Sequence, residues 1–259
     1  MRVLLTAGFD RALHAVGVAE LARREGHEIA EVLVVTPFQA ARIRERLRKR
    51  GVASLFDAAR RMSGTSSETV DLVMEEFLDA HGIRERSLTA WARAHGVSLH
   101  TVDDINDATA VARAAQARVD AAVYAGGGIL RAAFLDAVGG RVLNAHSGPL
   151  PHIRGMNACE WSLLLGHRPE VTIHWIDAGI DTGEVVESIA VPVERGDSID
   201  TLRAKCTVIG VDGLVRALSE LRAPLPQRSS NAPSARQCFA LAPVLRELLE
   251  RRLEDGECP

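Results

Sequence analysis

Residues 3–37 read VLLTAGFDRALHAVGVAELARREGHEIAEVLVVTP, and this stretch decides the fold class. Val3–Thr6 is a short apolar run typical of a buried strand. From Arg11 to Glu25, apolar residues recur at helical spacing until Gly26, a residue type that favours the end of a helix. Glu31–Thr36 is a second apolar, β-branched run and indicates another strand. This strand–helix–strand order predicts a parallel sheet with helices on its faces.

The alternation of strands and helices continues along the chain. The expected strands are Val97–Val102, Asp120–Ala125, Arg141–Asn144, Val171–Ile176 and Val185–Val193, the last running antiparallel to its neighbour. The expected helices are Ala108–Arg118, Ile129–Val138, Asn157–Leu165, Ser198–Leu221 and Ala242–Leu253. The sequence therefore predicts an α/β fold with a Rossmann-like, mostly parallel sheet and helices on both faces.

Two segments depart from this alternation. Residues 53–96 have a pattern that is helical almost throughout, and we interpret them as a helical insertion. Ala223–Arg236, APLPQRSSNAPSAR, has the composition of a linker. We therefore predict one catalytic domain over residues 1–222, then a linker and a short C-terminal helix over 223–259. The large apolar residues of the insertion are expected to pack into the core: Phe77, Leu78 and Trp91.

Composition narrows the functional classes. A formal net charge of −3 gives no general attraction to nucleic acid or to anionic membranes. No apolar run approaches the ~18 residues of a membrane span, and the start, MRVLLTAGFD, lacks the apolar region of a signal peptide. The four cysteines lie far apart without a CxxC pair, which indicates free thiols and a cytoplasmic protein. The basic stretch Arg42–Arg50 is typical of the outer face of a helix, with a nucleic-acid patch as the alternative.

The segment Val142–Gly155, VLNAHSGPLPHIRG, contains the most distinctive chemistry. An apolar run is followed by Asn144 and His146, two residues apart, and then by a turn with one Gly and two Pro residues. Residues i and i+2 of a strand point to the same face, so the amide and the imidazole are expected in one crevice. That crevice would lie at the carboxyl edge of the sheet, where open α/β sheets bind ligands.

A second block, Thr172–Gly183, reads TIHWIDAGIDTG. It places His174 on a strand and Asp177 and Asp181 in the loop that follows. An amide and an imidazolium can stabilise negative charge on a carbonyl oxygen, and a carboxylate can orient the imidazole or take a proton from an amine. Together the two blocks contain the groups needed to handle an acyl group.

Other interpretations of these residues remain open. A histidine on a strand, such as His174, is often a satisfied, partly buried residue, and an aspartate such as Asp181 is a common turn residue. Imidazole and carboxylate also ligate zinc, although no close pair such as HExxH supports a metal site. That alternative would use four side chains: His146, His174, Asp177 and Asp181.

Three blocks resemble the folate-dependent formyltransferase family, which includes the glycinamide ribonucleotide, methionyl-tRNA and sugar N-formyltransferases. They are VYAGGGIL at 123–130, NAHSGPLPHIRG at 144–155 and TIHWIDAGIDTG at 172–183, within weaker similarity over about 97–221. The resemblance implies transfer of a formyl group from 10-formyltetrahydrofolate to an amine, through a tetrahedral intermediate and without a metal.

The resemblance also implies a role for each matching residue. Asn144 would hydrogen-bond the formyl oxygen, while His146 would stabilise the developing oxyanion and help to protonate the leaving nitrogen. Asp181 would orient His146 and assist deprotonation of the amine, supported by His174. The folate would be bound by the loop residues Ala125, Gly126, Gly127, Gly128, Ile129 and Leu130, and by Asp177.

Departures from the family pattern reduce the range of acceptor substrates that we expect. The turn TAGFDR at 6–11 lacks a glycine-rich phosphate loop, which disfavours a ribonucleotide phosphate. The chain ends before the barrel domain that methionyl-tRNA formyltransferase appends, and it is not basic, so tRNA is disfavoured. We therefore expect a small-molecule amine (an amino sugar, an amino acid or a specialised metabolite). Exposed helices of the C-terminal half offer a surface for a homodimer.

Two other functions stay open at this stage. A formyl-folate hydrolase would use the same residues with water as the acceptor, and a non-catalytic module would use the fold only to bind a ligand. The glycines at 126–128 also allow several interpretations: a plain strand–helix turn, a reshaped folate pocket, or a pocket for another donor.

Overall fold

The computed structural model describes residues 1–36, 68–221 and 236–256. Its strands are β1 (Arg2–Ala7), β2 (Glu28–Val35), β3 (Ser98–Val102), β4 (Ala121–Ala125), β5 (Val142–His146), β6 (Ile153–Gly155), β7 (Glu170–Trp175), β8 (Val185–Ala190) and β9 (Arg236–Cys238). Its helices are α1 (Leu13–Arg24), α2 (Glu68–Ala80), α3 (Leu88–His95), α4 (Ala108–Ala117), α5 (Ala132–Ala137), α6 (Ala158–Leu164), α7 (Ile199–Glu220) and α8 (Pro243–Glu254).

The main sheet has seven strands in the order β3-β2-β1-β4-β5-β7-β8. The pairs from β3 to β5 are parallel, whereas β7 and β8 are added antiparallel. This confirms the prediction of an α/β fold with a mostly parallel sheet. Because β2 lies on one side of β1 and β4 on the other, a crevice opens at their carboxyl ends, where such sheets bind ligands.

Helices cover both faces of the sheet, as its apolar strands require. Alternate residues of β1 point to opposite faces: Val3 and Leu5 belong to the core that includes residues of α1, α2, α3, α6, α7 and α8, whereas Leu4 belongs to the core with α4 and α5. The first of these two cores is the larger and contains the fully buried Trp91 of α3. The site described below lies at the edge of this larger core.

The segment before α5 differs from expectation. A helix was expected from Ile129, but α5 begins at Ala132. The side chain of Asn106 accounts for the difference, since its amide donates to the Ile129 carbonyl at 2.9 Å and its oxygen accepts the Arg131 N–H at 2.7 Å. These bonds satisfy backbone groups that would otherwise favour an earlier helix start.

The insertion predicted at 53–96 is described from residue 68 onward. It is not helical throughout, because residues 81–87 separate α2 from α3 and Ser87 caps α3 by accepting the Ala90 N–H at 3.1 Å. The core predictions hold for Leu78 and Trp91, which are fully buried, while Phe77 packs against the same core half-buried. The basic stretch at 42–50 lies outside the described residues.

The C-terminal part contains a strand that the sequence pattern did not predict. Arg236–Cys238 forms β9, which pairs in parallel with β6 in a separate two-stranded sheet. After it, α8 packs into the larger core through Leu249 and Leu253. Most of the predicted linker, residues 223–235, lies outside the described ranges. The last part of the chain therefore contacts the loop that follows β5.

Glu20 on α1 is a buried carboxylate that connects α1 to α3. It accepts hydrogen bonds from Arg23 and Arg24 on its own helix, and from the indole N–H of Trp91 at 3.0 Å. These bonds, with that of Arg23 the strongest, lower the pKa of Glu20 from 4.5 to about 2. The folded-state pKa lies below the unfolded one, so this stabilisation is present above about pH 4.5 and is lost as the pH falls through about 2.

We expect Glu20→Gln to lower the free energy of unfolding by roughly 2 kcal/mol at pH 7, because it removes a charge that the fold stabilises. The difference from the wild type should shrink as the pH falls from about 4.5 towards 2. Urea unfolding at several pH values measures it, with exposed Glu25→Gln as the control that changes stability by less than about 0.5 kcal/mol. Parallel pH profiles for the wild type and Glu20→Gln would contradict this role of the carboxylate.

Candidate active site

The Asn and His of the first motif lie on the last parallel strand of the sheet. β5 ends at His146, and Asn144 lies opposite His174 of β7 in the antiparallel pairing. Asn144 is half-buried, while the two histidines are buried with their rings edge to face at 6.2 Å. Strand alternation and register together thus bring an amide and two imidazoles to one edge of the sheet.

His174 orients Asn144. Its Nδ1 lies 2.8 Å from the carbonyl oxygen of Trp175, which only accepts, so Nδ1 carries the proton. Burial is the main cause that lowers the pKa of His174 and favours the neutral ring. Nε2 is then an acceptor and takes one N–H of the Asn144 amide at 3.0 Å. The second N–H of that amide is left for a ligand.

The carboxylate of Asp181 reaches the same place from the loop after β7. Asp181 has a left-handed backbone, with φ of 50°, and one of its oxygens accepts the Gly155 N–H at 2.8 Å. That oxygen lies 3.5 Å from Nδ1 of His146, and the other lies 3.8 Å from Nε2 of His174. The structure therefore brings Asn144, His146, His174 and Asp181 together. His174 forms its hydrogen bond with Asn144, and its distance to Asp181 is longer.

The imidazole of His146 is held on its other side by the backbone. Nε2 lies 2.9 Å from the Ile153 carbonyl and must donate to it. A neutral ring then has its lone pair at Nδ1, facing Asp181. A proton on Nδ1 converts this pair into a charge-assisted hydrogen bond between imidazolium and carboxylate. The arrangement can accept a proton and return it without moving the ring.

The Gly-Pro-Leu-Pro turn requires its glycine and is tied to β7. A Cβ on Gly148 would lie 2.7 Å from Cβ of Ala158 and 3.1 Å from Nε2 of His146. The buried hydroxyl of Thr172 donates to the Gly148 carbonyl at 2.7 Å and accepts the Leu150 N–H at 3.2 Å. This contact fixes the loop that carries the carbonyl partner of His146.

Asp177, predicted to bind folate, lies in the turn before Asp181. Its carboxylate accepts the Gly179 N–H at 2.9 Å and the hydroxyl of Thr182 at 2.5 Å. The turn is closed by Gly183, where a Cβ would lie only 1.8 Å from the Trp175 carbonyl oxygen. In this structure Asp177 shapes the loop that presents Asp181.

The glycine loop after β4 lies close to the backbone of the turn after β1. Gly126, Gly127 and Gly128 all have positive φ, from 101° to 124°, which side chains rarely adopt. A Cβ on Gly126 would lie 3.0 Å from the amide nitrogen of Gly8, so the turns after β1 and β4 touch. The hydroxyl of Tyr124 donates to the Gly128 carbonyl at 3.0 Å and spans the loop.

The other residues of the predicted folate loop are placed differently from one another. Ala125 and Gly126 line a cavity, Ile129 is 70% exposed, and Leu130 is buried in the smaller core. Leu130 therefore packs in the core and does not line this cavity.

The cavity, of about 910 Å³, opens beside Asn144. Its rim is the crevice at the ends of β1, β4 and β5, and its body lies between α1, α2 and α7. Its larger aliphatic side chains are Leu13, Val18, Val70, Met74, Val211 and Leu214, and Phe9 lines it as well. The volume is within the range of small-molecule sites, which are concave and mainly apolar with a few polar groups.

Two titratable residues of the cavity, His14 and Asp71, belong to no sequence motif that would have marked them as site residues. His14 of α1 donates from Nε2 to the Ala125 carbonyl at 3.1 Å, and burial is the main cause that lowers its pKa. Asp71 of α2 is exposed at the cavity and contributes an opposing electrostatic effect on His14. A histidine inside a regular helical pattern looks like any other helix residue, so only the packing of α1 beside β4 shows its position.

Within the described ranges, no three or more His, Cys, Asp or Glu residues are arranged to hold a metal ion. The four-residue metal alternative therefore has no geometric support there. In the same part of the chain, no helix combines the length and apolar character needed to cross a membrane.

Comparison with known proteins gives a consistent family. The family model described as Formyl transferase matches residues 3–218. Methionyl-tRNA formyltransferase of Anaeromyxobacter dehalogenans (strain 2CP-C) is 33% identical over 160 residues, 60% of this chain and 51% of that protein. Its counterpart in Gluconobacter oxydans is 37% identical over 139 residues, 52% of this chain and 46% of that protein. The chain thus spans about half the length of these relatives.

Solved structures show the same fold. Phosphoribosylglycinamide formyltransferase of Bacillus halodurans superposes with a TM-score of 0.57 at 19% identity, covering 85% of this chain and 95% of that one. A sugar N-formyltransferase of a Shewanella species gives a TM-score of 0.54 at 14% identity, covering 98% and 87%. At these identities the similarity concerns the fold alone.

Proposed function

We propose, since this chain belongs to the formyl transferase family, that it transfers the formyl group of 10-formyltetrahydrofolate to a small-molecule amine. One observation carries the proposal: Asn144, His146 and Asp181 converge at the carboxyl edge of the sheet, with His174 fixing the amide. An amide donor, an imidazole and a carboxylate are the groups that acyl transfer to an amine requires.

The donor set fits a bound formyl-folate. One N–H of the Asn144 amide is bonded to His174, which leaves the second N–H for the formyl oxygen. The neighbouring glycine turn places backbone atoms rather than side chains beside the crevice. When bound, the folate supplies an activated formyl group attached to nitrogen. Asn144 and the loop Ala125–Gly128 are the residues proposed to hold it, together with Asp177 through the turn that it shapes.

The residues of the chain would then act on charge and protons. The Asn144 amide would donate to the formyl oxygen, and a protonated His146 would stabilise the negative charge that develops there. Asp181 would take the proton that the amine loses, directly or through a water molecule, and the proton shared between Asp181 and Nδ1 of His146 would return to the leaving nitrogen through Asp181. The positions of these groups let the proton pass between Nδ1 of His146 and Asp181, 3.5 Å apart.

The acceptor has a second candidate, a methionyl-tRNA. It is favoured by the relatives at 33–37% identity, which are methionyl-tRNA formyltransferases. The net charge of −3 favours the small molecule, because binding to a nucleic acid depends on basic residues that neutralise phosphates. We propose a cytoplasmic setting, which the free thiols of Cys159, Cys206 and Cys238 support.

The test is incubation with 10-formyltetrahydrofolate and a panel of acceptors, with tetrahydrofolate release as the readout. The panel contains amino sugars, amino acids, simple alkyl and aryl amines, and initiator methionyl-tRNA. Tetrahydrofolate release that depends on a small amine supports the proposal. Release that depends only on the tRNA shows that methionyl-tRNA, and not a small molecule, is the acceptor. Release without any amine indicates a hydrolase. No release, with no folate binding by calorimetry, overturns the proposal.

A further inference from the structure

Side chains from outside the loop at 125–129 hold the backbone of its first half. His14 of α1 donates from Nε2 to the Ala125 carbonyl at 3.1 Å, since a carbonyl oxygen only accepts. The hydroxyl of the buried Thr6 on β1 donates to the Gly126 carbonyl at 2.9 Å. The two donors lie 111 and 120 positions from their partners along the chain. The first half of the loop is therefore fixed by β1 and α1.

The second half of the loop is held in the same way. The hydroxyl of Tyr124 donates to the Gly128 carbonyl at 3.0 Å, and the amide of Asn106 donates to the Ile129 carbonyl at 2.9 Å. Asn106 is itself held, because its amide nitrogen also lies 3.1 Å from a carboxylate oxygen of Asp104. Among the residues that the structure describes, four of the five successive loop carbonyls thus accept a side-chain donor.

These hydrogen bonds order a segment that would otherwise have many conformations. Gly126, Gly127 and Gly128 have no side chain to pack, and glycine loses more conformational freedom on ordering than any other residue. A ligand that binds one conformation of such a loop loses affinity in proportion to how rarely the free protein adopts it. Side-chain donors from four parts of the fold reduce that loss, because they select the conformation before a ligand arrives.

Holding the carbonyls also determines which backbone groups a ligand meets. Each of the four carbonyls faces a donor of the protein. Within the described ranges, the N–H groups of Gly127, Gly128 and Ile129 donate no hydrogen bond. These N–H groups are therefore available to acceptor atoms of a ligand. The loop reaches the cavity beside Asn144 through its first two residues, so a ligand bound there lies next to the candidate active site.

We propose that the four side chains that donate to loop 125–129 are positioning residues for the formyl donor, because they hold the loop in the conformation that the donor binds. They are Thr6, His14, Asn106 and Tyr124. This rests on the proposed formyl transfer and deepens it by assigning residues that act on the donor through the loop backbone. Their loss should therefore weaken binding of the donor and leave the reaction of the bound donor nearly unchanged.

The first arm of the test measures the order of the loop without any ligand. Tyr124 is the single tyrosine of the chain, so labelling with 3-fluorotyrosine gives the full chain one fluorine-19 resonance beside the Gly128 carbonyl. Thr6→Val removes one donor and should shift or broaden this resonance, because the loop then samples further conformations. Thr36→Val is the matched control, since its hydroxyl donates to the Val102 carbonyl at 3.3 Å and not to the loop. Equal spectra of the two variants overturn the inference.

The second arm measures donor binding by calorimetry with 5-formyltetrahydrofolate. Tyr124→Phe removes only an oxygen and should raise the dissociation constant about three- to tenfold, the binding ratio that corresponds to one net hydrogen bond. His14→Phe should have an effect of the same size. His14→Gln keeps an N–H donor at the same distance along the side chain and should stay within about twofold of the wild type. Equal dissociation constants for the two His14 variants, or wild-type binding by Tyr124→Phe, overturn the inference.

Kinetics separate this inference from the proposed function. With an amine that is formylated, Tyr124→Phe should raise the KM for 10-formyltetrahydrofolate about three- to tenfold and keep kcat within about threefold. A fall in kcat at unchanged KM assigns the residue to the chemical step and overturns its positioning role. If the wild type neither binds 5-formyltetrahydrofolate nor formylates an amine, the proposed function fails together with the inference. If it does both while the variants match it, formyl transfer stands and the inference alone fails.

Discussion

The variant His146→Ala is expected to lower the turnover number for formyl transfer by about 10²–10⁴, the effect of losing a positioned acid–base group or oxyanion stabiliser. The ring is buried and fixed by the Ile153 carbonyl, and its Nδ1 faces Asp181 at 3.5 Å. In the proposed mechanism, alanine would remove both the imidazolium that stabilises the developing oxyanion and one member of the proton path to the leaving nitrogen. Single-turnover kinetics with saturating donor and amine measure the step directly.

The affinity for folate should change much less than the rate in this variant, because the loop at 125–128 is held by Thr6 and Tyr124 and not by His146. His167→Ala is the matched control, a partly exposed histidine outside the site that should keep the wild-type rate within about twofold. If rate and folate affinity fell in parallel, the role of His146 would be to hold the loop rather than to act on the formyl group.

The second large effect is expected for Asp181→Asn, which should lower the turnover number by about 10²–10³. The amide keeps the size of the carboxylate and can still accept the Gly155 N–H, so the loop should stay in place. It loses the negative charge beside His146 and the capacity to take a proton from the amine. The measurement is the turnover number, with the melting temperature and the folate dissociation constant as companion readouts.

Asp136→Asn, at an exposed position of α5, is the control for the change from carboxylate to amide and should be silent. A rate loss in Asp181→Asn that comes with a large drop in melting temperature and in folate affinity would indicate a turn residue without a chemical role. A rate loss with both companion values near the wild type supports proton transfer by Asp181.

The parts of the fold that sequence reasoning predicted are those with local signals. Apolar runs of β-branched residues mark the strands of the sheet, and glycines after periodic segments mark helix ends, as at Gly26 and Gly96. The placing of Asn144 and His146 on one face follows from strand alternation alone. These features depend on residues a few positions apart.

The parts that were missed depend on contacts between distant residues. The short strand β9 exists because β6, more than eighty residues earlier in the chain, offers it a pairing edge, and three residues carry no pattern of their own. The start of α5 is set by the side chain of Asn106. His14 and Asp71 reach the cavity only because α1 and α2 pack beside α7, which no local spacing reveals.

The bond between His174 and Asn144 is an instructive intermediate case. The family resemblance implied that His174 supports Asp181, whereas its closer contact in the structure is with the Asn144 amide, at 3.0 Å against 3.8 Å to Asp181. Which partner a strand residue meets depends on the register between β5 and β7. The sequence predicts both strands but does not specify how they are aligned.

That alignment has a practical consequence for engineering. Asn144 lies opposite His174, and side chains alternate every second residue, so sliding β7 by one position would turn His174 to the other face and leave the amide unoriented. The 23 residues between the two strands, 147–169, include the turn and α6 but do not set the pairing by their length. Grafts that end inside β5 or β7 therefore risk the alignment of Asn144 with His174, whereas changes to the surface of α1 or α2 leave that pairing intact.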